Sequence, residues 1–124
     1  MSATAEDVSQ ETIYQQPRID FLRAWKRAVA LVGSTHTFGS AYAALHQVSN
    51  HRELTPRVDV IRKSLPNRSN ADAAFLAALV SFYNKHEGQK LINKNDLSLG
   101  DMALTLSTQQ RNILADLIIH YRGW

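Results

Sequence analysis

The chain has no cysteine among its 124 residues. Disulfides, thiolate nucleophiles and cysteine-based zinc sites are therefore excluded, and redox usage says nothing about compartment. Proline and glycine are scarce, three and five residues respectively, so each marks a place where an element starts, stops or crowds a neighbour. No apolar run approaches the roughly 20 residues that a membrane-spanning helix needs. Gly-x-Gly-x-x-Gly fingerprints, phosphate-loop motifs, His-Glu-x-x-His pairs and nucleophile-elbow serines do not occur. Residues 1–7 are polar and acidic, the reverse of a secretory signal. These absences point to a cytoplasmic protein without membrane association, cofactor, metal or catalytic machinery.

Hydrophobic residues make up 44% of the chain and charged residues 20%, ordinary proportions for a globular domain. The net charge of +3 is unevenly placed. Residues 1–16 hold Glu6, Asp7 and Glu11 with no basic residue, and few large apolar side chains besides Val8, Ile13 and Tyr14. That composition predicts a mobile acidic tail over 1–16, followed by a single helical domain over 17–124. Residues 17–68 carry nine Lys or Arg against three acids, Asp20, Glu53 and Asp59, whereas residues 69–124 carry five of each sign. The positive excess therefore belongs to the first half of the expected folded body.

Residues 70–87 predict a central helix. Ser69 or Asn70 caps its start and Gly88 ends it. At about 100° per residue, Phe75, Leu76, Leu79, Val80, Phe82 and Tyr83 share an arc of about 160°, with Ala71, Ala74, Ala77 and Ala78 opposite. Bulky residues on one face and alanines on the other allow packing from both directions. Around this helix the pattern predicts others over 17–32, opened by Pro17, over 37–49, and over 56–65, opened by Thr55 and Pro56 and stopped by Pro66. A short helix is expected around Leu99, Met102, Ala103 and Leu106. A last one, with a capping box at Ser107 and Gln110, carries Ile113, Leu114, Leu117, Ile118 and Tyr121 inward. Residues 90–93 read as a loop or short extended piece. The fold expected is all-α, a bundle of five or six helices.

The chemistry is sparse. His46 and His51 are five apart, a poor ligand spacing on a helix, and His86 falls within the apolar arc, so the histidines read as packing residues. Asn93, Asn95 and Asp96 resemble the start of a calcium loop, but Ser98 and Leu104 occupy the positions that need glycine and glutamate. The segment from Leu106 to Leu114 has the rhythm of a helix-turn-helix opening, yet a single helix follows it in this sequence. One functional signal stands out: Arg18, Arg23, Lys26 and Arg27 on the first helix, and Arg57, Arg62, Lys63 and Arg68 around the third. As neighbours, these two groups would form a polyanion-binding surface. The ordinary alternative is that their stems pack and their charges pair locally. The reading is a non-catalytic binding or accessory protein that meets a protein partner through a surface of the bundle. The competing reading is a nucleic-acid-binding protein using residues 17–68.

Overall fold

Six α-helices follow one another along the described residues of the computed structural model, namely 5–33, 36–39 and 44–124, with side chains from residue 16 onward. They are α1 (Ala5–Val32), α2 (Val58–Ser64), α3 (Asn70–Tyr83), α4 (Lys85–Lys94), α5 (Leu99–Thr105) and α6 (Thr108–His120). Short 3₁₀ turns occupy Leu45–Gln47, His51–Leu54 and Leu65–Asn67. No strand forms among the described residues. None of the helices there is long and apolar enough to cross a membrane.

The Ser69 side chain accepts a hydrogen bond from the Asp72 amide and so satisfies one of the orphan donors that open α3. Both faces of the helix are then covered. Phe75, Leu76, Leu79 and Val80 are buried on one side, and Ala74 and Ala77 on the other. α4, α5, α6 and the Leu65–Asn67 turn all contact it, so α3 is the centre of an all-α bundle. α5 and α6 each open with a reciprocal capping box, Ser98 with Asp101 and Ser107 with Gln110. The Ser98 hydroxyl and then its amide hold the Asp101 carboxyl below its ordinary range.

Several features differ from the sequence reading; residues 90–93, for one, lie within α4 rather than in a loop or extended piece. α3 stops at Tyr83 because Asn84 turns its side chain onto the amides of His86 and Glu87 and starts α4. Gly88 is thus not a helix terminator but a buried residue inside α4, and His86 is an exposed α4 residue. A Cβ at Gly88 would overlap Ser81 Oγ and stand 2.5 Å from the Ser81 main chain, so the missing side chain lets α4 lie directly on α3. Gly88→Ala gains about 1 kcal/mol of helix propensity, but the clash with Ser81 backbone forces the helices apart. The expected net result is a loss of up to about 3 kcal/mol by urea denaturation. Ser81→Ala should not rescue it, because the clash with the main chain remains. A midpoint matching wild type would contradict this packing.

The helix expected over 37–49 does not form at its described residues, 37–39 and 44–49, where a β-bridge and a short 3₁₀ turn stand instead. Phe38 bridges antiparallel to Pro56, with Gly39 N donating to Thr55 O at 2.7 Å and Arg57 N to Thr37 O at 2.8 Å. Gly39 has φ +45°, and a Cβ there would overlap the Glu53 carbonyl. Close backbone approach and left-handed geometry thus both require glycine. Residues 40–43 of that expected helix lie outside the described residues. The same bridge takes Pro56 out of the following helix, so α2 starts at Val58 rather than at Thr55 and Pro56.

The last correction concerns α1, which starts at Ala5 and carries Pro17 inside it rather than at its opening. Its inner face buries Phe21, Ala24, Trp25, Ala28 and Val29. α1 runs antiparallel to α6, as shown by Arg27 meeting Asp116 while Asp20 faces His120. Trp25 is wholly buried and donates its indole N–H to Leu54 O at 2.9 Å. Around it gather Phe21, Phe38 and Trp124, whose ring centres lie 5.0–6.0 Å away.

Candidate functional site

The helix spacing places the expected basic residues on outward positions, and their carboxylate partners divide them between two helices. On α1, Arg27 Nη1 lies 2.7 Å from Asp116 of α6, and Arg23 lies 3.6 Å from Asp20. On α2, Arg62 lies 2.9 Å from Asp59 and 3.1 Å from Glu87 of α4, a carboxylate it shares with Lys90. Arg68 Nε donates to Ser64 Oγ. Arg18 and Lys26 act electrostatically on His51 and Glu53 respectively. Arg57 and Lys63 are exposed, with no ion pair among the described residues. The α1 group therefore turns partly toward α6, and Arg62 toward α4. Such half-exposed pairs contribute about 0.2–1 kcal/mol each, so they occupy the charges without holding the fold together.

Between α1 and α6 the charged side chains line a shallow pocket of about 130 Å³, made by Asp20, Arg23, Ala24, Arg27, Asp116 and His120. It has room for about four waters. His120 Nδ1 stands 3.8 Å from Asp20 Oδ2, beyond hydrogen-bonding distance. Asp20 Oδ1 takes the Gln16 side-chain amide at 3.0 Å. A histidine beside an aspartate can orient and move a proton, and the lining holds no hydroxyl, thiol or lysine amine. Two acids opposite two arginines also leave the pocket close to neutral, which suits a structural seam between the helices. Among the described residues no group of three or more His, Asp or Glu could hold a metal ion.

A feature of a different kind lies on the solvent-facing side of α6. Ile118 and Ile119 are 67% and 60% exposed. Ala115, Arg111 and Asn112 are exposed on the same face, one and two turns earlier. Asp116 is the helix's one acidic residue, and it is turned to Arg27. Arg111 and Arg122 fold over the ends of the strip, with Arg111 donating to the Leu106 and Ala103 carbonyls and Arg122 to those of Ile119 and Tyr121. Leu99 and Leu104 of α5 are more exposed still, at 83% and 84%.

The sequence pattern assigns Ile118 to the inward face of the last helix, and the structure turns it outward. The signal against Ile118 is local: Ile113 and Leu117 already fill the buried face of α6, and two consecutive isoleucines point about 100° apart. No protein-family model, no curated protein and no solved structure matches this chain.

Proposed function

We propose that the protein is a small non-catalytic binding protein that takes a protein partner on the outer face of α6. The observation that carries this reading is the pair Ile118 and Ile119, exposed by 67% and 60% on a helix whose one acid is paired to Arg27. Isolated exposed aliphatics are common on any surface. Adjacent ones on one helix, with Ala115 beside them and arginines at both ends, form the apolar centre and polar rim of an interaction site. The rim is basic. The partner it fits presents apolar side chains flanked by carboxylates, for instance along an amphipathic helix.

The competing reading is a nucleic-acid-binding protein that uses residues 17–68. It is supported by Arg57 and Lys63, which are exposed and unpaired among the described residues. It is weakened by the engagement of Arg23, Arg27 and Arg62 with carboxylates. A photo-crosslinking residue placed at Ala115, or in a separate variant at Lys63, distinguishes the two inside the producing cell. The expected result is one protein adduct of defined mass from position 115, lost when Ile118→Lys is added. A nucleic-acid adduct from position 63, with none from 115, would favour the competing reading.

A further inference from the structure

We infer that His51 is an acid-sensitive pin for residues 121–124: protonating its imidazole releases Trp124 from the aromatic box in which it packs. His51 opens the His51–Leu54 turn, fixed there by the capping box of Asn50 and Glu53. Its ring meets Trp124 at 4.4 Å and Phe21 at 5.1 Å, both nearly edge-on. Nε2 is buried, with no hydrogen-bond partner among the described residues. A neutral imidazole tolerates this, because one of its nitrogens is only an acceptor. An imidazolium is a donor at both nitrogens, and a buried donor at Nε2 would have no hydrogen-bond acceptor among the described residues.

The charges around the ring act in the same direction. α1 contributes Arg18 and the turn itself contributes Arg52, and both repel a cation. The Glu53 carboxylate is held on the amides of Ser49 and Asn50. Asp20 of α1 engages Gln16, Arg23 and His120. From the 121–124 segment, Arg122 is spent on main-chain carbonyls and the Trp124 main-chain oxygen is taken by Arg52 at 2.7 Å. α3 reaches the box through Tyr83, which meets Trp124 rather than His51.

Burial first, then Arg52 and Arg18, accordingly hold the His51 pKa below 6.5. A group depressed in the folded state contributes its stabilisation fully above the unfolded value. That contribution is lost as pH falls from 6.5 through the lowered folded value. Trp124 is the neighbour that gives way. Phe21 and Trp25 are 3% and 0% exposed within α1, whereas Trp124 is only half-buried and follows the end of α6 with no helical hydrogen bonds of its own.

The test is a titration of the full chain from about pH 8 to about pH 5, across the range where histidine changes charge, followed by NMR. It reads the His51 ring and the two indole N–H signals. The expected result is a His51 midpoint below 6.5, with the Trp124 indole moving to a solvent-exposed position at the same midpoint while the Trp25 indole stays put. His51→Phe should abolish the Trp124 transition. Arg18→Gln, an exposed change that leaves the box intact, should raise its midpoint toward 6.5. A Trp124 signal that stays still while His51 titrates, or a transition that survives in His51→Phe, would overturn the inference. So would an Arg18→Gln midpoint equal to wild type.

Discussion

Leu79→Ala is expected to be among the most damaging single substitutions in this protein, at about 2–5 kcal/mol. Leu79 is fully buried at the middle of α3, the helix covered by α4, α5 and α6 together. Truncating it removes apolar contact and leaves a cavity that three helices cannot all collapse to fill. Against a total stability of about 5–15 kcal/mol for a domain of this kind, that is a large share. Urea denaturation reads the loss directly. A midpoint within error of wild type would mean that α3 is not the centre of the fold.

Trp25→Ala should cost about 3–5 kcal/mol, the range for emptying a buried aromatic position. The position joins α1 to three other parts of the chain. Its indole N–H satisfies Leu54 O, and its ring faces Phe38 of the bridged segment and Trp124 beyond α6. Trp25→Phe separates the two contributions. It keeps most of the apolar area but leaves the Leu54 carbonyl without its donor, for about 1–3 kcal/mol. The informative comparison is therefore between the two variants by thermal denaturation. Equal losses would show that the hydrogen bond, and not the ring packing, dominates; the expected order is Ala well below Phe.

Local patterns are readable at two of the capped helix starts, Ser69 of α3 and Ser107 of α6. Ser98 and Asn84, which cap α5 and α4, are not singled out by the pattern. The two-sided burial of α3 was likewise visible as aromatic and aliphatic residues opposite alanines. Two of the errors share one physical origin, a residue whose role is set by a distant contact. Gly88 looked like a helix stop because the approach of Ser81 cannot be seen in the order of residues. Gly39 and Phe38 looked like a weak helical turn because the bridge to Pro56 is made by a later segment. Pro17 looked like a helix start because the apolar spacing upstream of it is too sparse to announce the helix that the backbone forms from Ala5.

For the candidate sites, the basic residues were legible but their partners were not. Asp116 and Glu87 come from helices far along the chain. His51 and Trp124, separated by most of the molecule, gave no sign that they would share one box.

The most direct discrimination between a protein-binding face on α6 and a polyanion surface on α1 and α2 is a titration with mixed nucleic acids at low and at moderate salt. With Arg23, Arg27 and Arg62 engaged by carboxylates, the expected result is no binding at either concentration. Binding that weakens steeply as salt rises, in the manner of counterion release from several phosphate contacts, would contradict it and make the basic surface the functional one.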